Sequence, residues 1–491
     1  MPETRDLVQP EVLPDLRGEP PQGKIQQPVL CVNLERGLLK TDLLWECIAA
    51  LLKTEPSILF RLLQWRDGRD GLRRELLQRA DIVAGTLPYR SDLIEFLCAE
   101  HRKGRRLALI TTIESPVAER IAGHLGIFED VGFVPEGMNV AEFLTTSFGN
   151  DGFAYVGNSA KDLPVWQAAQ EAYVVGGKGL ALQAASVAQV ERVFEQQPTS
   201  LVHWLQALRG HHWAKNLLLF LPLLAAHKLG LRSLTATVAG FVLFSLCASS
   251  IYILNDLLDL HSDRMHPWKA KRPFASGVTS VPSGLLISAA LIAITIACGV
   301  WLSLPFAMTL VAYLALTTWY SLHLKRVPLL DVFVLSCFYG MRICAGAAIT
   351  SVPLSDWFMA FSIFFFLSLA MAKRYSELVN TAGEGDDARF GRPYTQVDRS
   401  LLMHLGIGCS FSAVVILALY VHSKEVLALY RKPEFLSLIC PVILYWTSRL
   451  WLRANRGEID EDPIALAIED PVSYATAAVV IAVLLISTYV R

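Results

Sequence analysis

The sequence predicts a two-part protein: an N-terminal α/β domain followed by an all-α polytopic membrane bundle of nine helices. Three observations carry that expectation. The 491 residues are 53% hydrophobic with a mean hydropathy of +0.40, high for a soluble enzyme. The apolar excess is uneven: residues 1 to 200 have a globular composition, and long apolar runs recur from Asn216 onward. Within the first part, short apolar runs ending in polar residues or glycine alternate with helical patterns, the rhythm of a parallel sheet covered by helices.

Residues 1–27 are polar and Pro-rich without an apolar h-region, so they predict a disordered lead-in and no cleavable signal. The α/β domain is expected over 28–177. Candidate strands are Pro28–Glu35, Arg106–Thr112, Phe153–Asn158 and Ala172–Gly177, with helices such as Asp42–Lys53 and Ser91–Lys103 between them. Residues 178–202 are expected to be a linker, helical over Lys178–Pro198, and the membrane part occupies 203–491. A span needs about 20 apolar residues. Nine runs qualify, near 214–230, 234–257, 281–303, 305–322, 328–350, 354–372, 400–423, 435–452 and 471–490.

One set of loops carries Arg264, Lys269, Lys271, Arg272, Lys325, Arg326, Lys373, Arg374, Arg389, Arg392, Arg399, Arg449, Arg453 and Arg456. The opposite set has only Lys228, Arg232, Lys424, Arg431, Lys432 and Arg491. The basic side is the cytoplasmic one, and it is the side of the N-terminal domain. A multi-pass protein of the inner, cytoplasmic membrane is expected, with its chemistry on the cytoplasmic face. The formal net charge of -1 says little about partners, and no nucleic acid is expected. The nine cysteines form no CxxC pair, so neither a zinc site nor a disulfide framework is implied.

The most informative stretch runs from Asn255 to Pro273. Asp256, Asp259 and Asp263 fall at i, i+3 and i+7, on one helix face beside Asn255, at the end of an apolar run. Carboxylates crowded there repel one another, and Mg²⁺ relieves the repulsion while keeping positions open for substrate phosphates. The plainer alternative is a solvated acidic helix end paired with Arg264 and Lys269. Lys269, Lys271 and Arg272 follow in a Pro-flanked loop, and cations beside a metal–carboxylate cluster make a clamp for a diphosphate.

Asn255-Asp256-x-x-Asp259-x-x-x-Asp263 with His266-Pro267-x-Lys269-x-x-Arg272-Pro273 resembles the signature of the UbiA superfamily of prenyl transferases, over about residues 203–491. That resemblance implies a helical bundle open to the bilayer and Mg²⁺-dependent transfer on an isoprenoid substrate. The superfamily's second acidic motif, DxxxD, is incomplete: after Tyr320-Ser321-Leu322-His323-Leu324-Lys325-Arg326 the chain has Asp331 alone. Basic residues appear instead, with Arg342 inside a span, facing a polar cavity or an ion-pair partner, and Lys373-Arg374-Tyr375-Ser376-Glu377 after the next one.

The segments Arg209–Asn216, His266–Pro273 and Lys373–Leu378, with Asp462-Pro463 and Glu469-Asp470, resemble the decaprenyl-phosphate phosphoribosyltransferase branch. The branch implies transfer of ribose 5-phosphate from phosphoribosyl diphosphate to a polyprenyl phosphate. On this resemblance Asn255, Asp256, Asp259 and Asp263 are the catalytic set, the three aspartates holding Mg²⁺. Lys215, Lys269, Arg272, Lys325, Arg342, Lys373 and Arg374 bind substrate phosphates. The competing reading is polyprenyl transfer from a polyprenyl diphosphate to an aromatic acceptor; a remoter one is a non-catalytic lipid-binding or transport protein.

The N-terminal domain resembles a degenerate haloacid dehalogenase-like Rossmannoid domain. Asn33 stands where the nucleophile belongs, in Asn33-Leu34-Glu35, and an amide cannot form an acyl phosphate. Thr111 or Thr112 ends a strand in the place of the second motif's hydroxyl. Gly157-Asn158-Ser159-Ala160-Lys161-Asp162 retains the last motif, and no lysine lies between Lys103 and Lys161. A relict scaffold that binds a phosphate or docks on the membrane domain is expected; the alternative is a weak phosphatase acting on the product or the diphosphate.

Overall fold

The computed structural model describes residues 27–55, 57–58, 69–112, 116–195, 199–380, 393–459 and 469–489. The lead-in up to residue 26, Arg389, Arg392, Asp462, Pro463 and Arg491 lie outside the described residues. The chain divides into two compact units. One joins Met1–Leu208 to Tyr252–Ser288; the other joins Arg209–Ile251 to Ala289–Arg491.

The first unit is built on six parallel strands, β1 (Val29–Asn33), β2 (Leu107–Thr111), β3 (Asp130–Phe133), β4 (Phe153–Gly157), β5 (Glu171–Val175) and β6 (Val190–Phe194), in the order β3-β2-β1-β4-β5-β6. Helices cover both faces, which is why the central strands read as unbroken apolar runs. Leu30, Val32, Leu107 and Leu109 enter one core with helices Leu43–Thr54, Ser91–Arg102 and Pro116–Leu125. Cys31, Ala108, Ile110 and Tyr155 enter the other with helices Val140–Phe148 and Leu163–Ala168. Asp42 starts its helix by accepting a hydrogen bond from the Leu44 amide (3.0 Å), as a short acidic side chain does at an N-cap. The strand order reverses between β1 and β4, and a crevice at the carboxyl ends of these strands is where such sheets bind ligands.

Four strands lie where the sequence placed them. The expected linker is a correction: it supplies helix Lys178–Ala185 and the edge strand β6. The second stretch of this unit comprises the last turns of helix Leu231–Leu258, the short helix Leu260–Arg264, a loop, and the first turns of helix Val281–Leu302.

The second unit is helical. Across the described chain seven helices are long and apolar enough to cross a bilayer: Leu231–Leu258, Val281–Leu302, Leu330–Thr350, Asp356–Asn380, Asp398–Val421, Pro433–Asn455 and Pro471–Tyr489. The protein is therefore an integral membrane protein; each span satisfies its own backbone, as lipid demands. Two of the nine expected spans fall outside the seven. The run 214–230 folds as a 3₁₀ segment, Gly210–Phe220, and a short helix, Leu221–Ala225, broken at Pro222 where the ring cannot continue a regular ladder. The run 305–322 is a 19-residue helix, Leu304–Leu322, whose last two turns are diluted by Thr317, Thr318, Trp319, Tyr320 and Ser321.

Glycines set the closest approaches in this unit. A Cβ on Gly346 would lie 2.0 Å from the Leu219 carbonyl oxygen, and one on Gly406 would lie 2.2 Å from the Trp451 ring. Trp451 also donates to Ser368 Oγ at 3.0 Å. Small residues at helix contacts are how bundles pack in lipid, where burying apolar surface brings no gain.

Candidate active site

The acidic cluster sits in the first unit. Asn255 and Asp256 occupy the last turns of helix Leu231–Leu258. The helix does not continue through the motif: Asp259 leaves helical geometry (φ -103, ψ 12) and becomes the N-cap of Leu260–Arg264. Backbone bonds from Asp259 N to Asn255 O (2.9 Å) and from Asp263 N to Asp259 O (2.8 Å) keep the turn compact. Asp256 and Asp263 are each 3% exposed, and both accept from Nη1 of Arg272, at 3.1 and 2.6 Å. Arg272 reaches them because the 3₁₀ turn Lys269–Lys271 folds the loop back before Pro273.

Burial pushes the Asp263 carboxyl above its ordinary range, while Arg272 and then Lys269 pull it down. Lys271 is turned away, with its ammonium 5.1 Å from the Trp268 ring centre. Among the described residues no group of three acidic, His or Cys side chains is placed to hold a metal. The continuous three-carboxylate face expected from the sequence is thus corrected, because the helix breaks at Asp259 and Arg272 bridges the other two. The donor set still fits a hard divalent cation: two buried carboxylates are drawn together around one positive group, with oxygen ligands of the kind Mg²⁺ takes.

The other predicted cations lie in the second unit. Lys215, on the 3₁₀ segment, lines a cleft of about 300 Å³ with Leu217, Leu218, Leu221, Phe365, Phe366 and Trp446. Lys325 lies in the 3₁₀ turn Leu324–Arg326, and half-buried Lys373 lies near the end of Asp356–Asn380.

The structure engages Arg342 and Arg374 elsewhere than the expected phosphate contacts. Arg342, 4% exposed, donates from Nε to Asn216 Oδ1 (2.8 Å) and from Nη1 to the Phe338 carbonyl (2.6 Å). The rings of Phe244, Tyr313 and Tyr339 surround its guanidinium at 5.4, 5.5 and 5.7 Å, a cation–π cage in place of the expected cavity or ion pair. Asn216 in turn donates to Ser245 Oγ at 2.9 Å.

Arg374, 1% exposed, donates to Asp331 (2.7 Å), to both oxygens of Glu377 (2.7 Å each) and to the Tyr320 hydroxyl (3.1 Å). Asp331, wholly buried, also accepts a short bond from the Tyr394 hydroxyl. The lone acidic residue of the second motif is therefore neutralised within the bundle. Asn216, Tyr320, Glu377 and Tyr394 were not singled out from the sequence as site residues. The Arg374–Glu377 spacing of i, i+3 was the one local signal for this network.

Asp470 caps helix Pro471–Tyr489 through the Ser473 amide (2.9 Å) and takes a bidentate contact from Arg449 (2.6 and 2.9 Å). The Arg449 hydrogen bonds hold its carboxyl down at about 2.

In the α/β domain, Asn33 ends β1 with its Oδ1 accepting from the Glu35 amide at 3.0 Å. Asp162 accepts from the amides of Asn158 (2.8 Å) and Ser159 (2.9 Å); burial nevertheless raises its carboxyl above the ordinary range. Thr111, 3% exposed, ends β2. The amide at Asn33 leaves this crevice without a carboxylate nucleophile at the end of β1.

Comparison with known proteins bears chiefly on the membrane part, and one relative spans nearly the whole chain. The profile of the UbiA prenyltransferase family matches residues 216–467. An uncharacterised protein, y4nM of Sinorhizobium fredii, is 33% identical over 465 residues, covering 92% of this chain and 89% of that protein. A decaprenyl-phosphate phosphoribosyltransferase of Mycobacterium tuberculosis is 38% identical over 196 residues, covering 38% of this chain and 64% of that enzyme. Among solved structures, a UbiA homolog from Archaeoglobus fulgidus bound to DMAPP and Mg²⁺ is 17% identical and covers 57% of this chain and 99% of its own, with a TM-score of 0.44.

Proposed function

Because the chain belongs to the UbiA prenyltransferase family, we propose that it transfers 5-phosphoribosyl from phosphoribosyl diphosphate to a polyprenyl phosphate, with Mg²⁺-assisted loss of diphosphate. A lipid phosphate oxygen displaces the diphosphate at the sugar C1; the C1–O bond to diphosphate breaks as the new one forms. The observation that carries this choice over prenyl transfer is the closure of the second acidic position. Asp331 is spent on Arg374 and Tyr394, which leaves a single acidic motif for the donor. The match to the mycobacterial phosphoribosyltransferase supports the same reading.

Asp256 and Asp263, with Asp259 beside them in sequence, would hold Mg²⁺. When bound, the ion supplies charge neutralisation on the leaving diphosphate. Lys269 and Arg272 in the first unit, and Lys325 and Lys373 in the second, are the proposed phosphate contacts; Arg272 also bridges the two buried carboxylates. The apolar cleft at Lys215 suits a lipid whose phosphate meets the ammonium and whose chain lies along the leucine and phenylalanine side chains. The bias of Lys and Arg among the loops supports an orientation with the N-terminal domain and the site on the cytoplasmic side of the inner membrane.

The order of the parallel sheet, Asn33 and the Asp162 turn support a haloacid dehalogenase-like domain without phosphatase turnover. One assay tests the main reading. Membranes are given labelled phosphoribosyl diphosphate or labelled polyprenyl diphosphate, and the lipid is extracted. Label from the sugar donor in the lipid fraction is expected; label entering only from polyprenyl diphosphate, onto an aromatic ring, would establish the prenyl-transfer alternative instead.

A further inference from the structure

Arg264 follows Asp263 directly, yet its guanidinium points away from the acidic pair. Nη1 and Nη2 form a bidentate contact with Glu46, at 2.9 and 2.8 Å, and Nε donates to the Ala275 carbonyl at 2.9 Å. The two side chains are 8% and 5% exposed. Glu46 stands in the first turn of helix Leu43–Thr54, which belongs to the α/β domain. One side chain thus fastens three segments of the same unit: the domain helix, the helix of the acidic motif, and the loop that returns Arg272 to it.

Independent contacts point the same way. Thr86 Oγ1 and His261 Nδ1 are 3.0 Å apart, and Thr199 Oγ1 donates to the Val278 carbonyl at 2.9 Å. Gly277 adopts φ +74, and a Cβ there would lie 3.0 Å from Lys40 and 3.2 Å from Pro88. Leu258, at the end of the long helix, packs on the α/β core. A buried ion pair is a poor source of net stability, because desolvation offsets its attraction; its best-attested use is to fix register. Arg264 and Glu46 are built for that, since the planar fork accepts a carboxylate in only one orientation.

We infer that the α/β domain serves as a positioning element for the transferase, with Glu46 as the positioning residue that holds the acidic loop in register through Arg264. This rests on the transferase reading above. It assigns the domain a task that needs no ligand in its crevice.

The test uses the full chain in lipid nanodiscs, with Glu46→Ala, Glu46→Gln and, as a control, Glu171→Gln. Glu171 pairs with Arg105 (2.7 Å) within the α/β domain. Hydrogen exchange is followed over residues 259–280, alongside kcat and KM for both substrates. Glu46→Ala is expected to speed loop exchange and lower kcat about 10–100-fold, the cost of a misplaced constellation, with KM for the lipid unchanged. Glu46→Gln keeps one acceptor oxygen and should fall between; Glu171→Gln should leave both readouts at wild-type values. The inference is overturned if Glu46→Ala keeps wild-type exchange and kcat, or if Glu171→Gln reproduces its effects. Should the wild type transfer no label, the transferase reading fails, and loop exchange alone decides whether Glu46 holds the loop.

Discussion

Arg374→Ala separates a structural cation from a substrate ligand. The substitution removes donors to Asp331, Glu377 and Tyr320 at once. Glu377 is 37% exposed and recovers water, so its loss is small, but Asp331 is wholly buried and keeps only the Tyr394 hydroxyl among these partners. Stranding one member of a buried pair costs about 3–5 kcal/mol, whereas exchanging the whole pair for apolar side chains is often neutral or better. Arg374→Ala should therefore unfold at a clearly lower temperature than wild type, and Arg374→Leu combined with Asp331→Leu should recover most of that loss. The assay is thermal unfolding in nanodiscs followed by tryptophan fluorescence, with KM for each substrate measured below the transition. An Arg374→Ala protein that unfolds at the wild-type temperature while its KM for the phosphate-bearing donor rises would refute this reasoning and return Arg374 to the substrate.

Three further outcomes are expected. Asp256→Asn and Asp263→Asn should each lower transfer about a hundredfold or more while the protein stays in the membrane, because each removes charge from the proposed ion site; normal turnover in both would make the cluster a helix end. Asp470, held at about 2 by Arg449 from an ordinary 3.8, contributes stability that is complete above the ordinary range and lost as pH falls toward 2. The unfolding midpoint of Asp470→Asn should thus lie below wild type at pH 6, with the gap closing on acidification; a gap independent of pH would count against the pairing. The full-length protein should not hydrolyse p-nitrophenyl phosphate with Mg²⁺, and hydrolysis abolished by Asp162→Asn would show that the crevice at Asn33 retains turnover.

Local signals made much of the fold readable. Asp42 announced its helix, and β1, β2, β4 and β5 are apolar because helices cover both faces. The two strands missed lie at the sheet's edges. β3 has four residues including Gly132, and β6 exposes Glu191, Arg192 and Val193, so neither carries an apolar run. The run 214–230 misled for the opposite reason: its composition suits lipid, while Pro222 and the 3₁₀ winding set its shape. In the candidate site, Asp256, Asp263 and Arg272 lie within seventeen positions of one another in the motif and are in contact in the folded chain. Periodicity could not foresee the break at Asp259. Arg374 and Asp331 are 43 positions apart, and Arg264 and Glu46 are 218 apart. Nothing in the spacing of such residues marks them as partners; only the folded chain brings them together.

Gly346 carries a consequence for how this sequence can vary. The space a methyl group would take there is already filled by the Leu219 carbonyl oxygen. An alanine would push helix Leu330–Thr350 from the 3₁₀ segment by about 1 Å, more than the 2.8 Å bond between Arg342 and Asn216 tolerates. Arg342 lies one helical turn before Gly346, and Asn216 three residues before Leu219, so the glycine, the arginine and the asparagine depend on one shared fit between the two segments. A lineage that loses the glycine leaves a guanidinium inside the bilayer without its amide partner, and restoring the fit requires changes on both segments together.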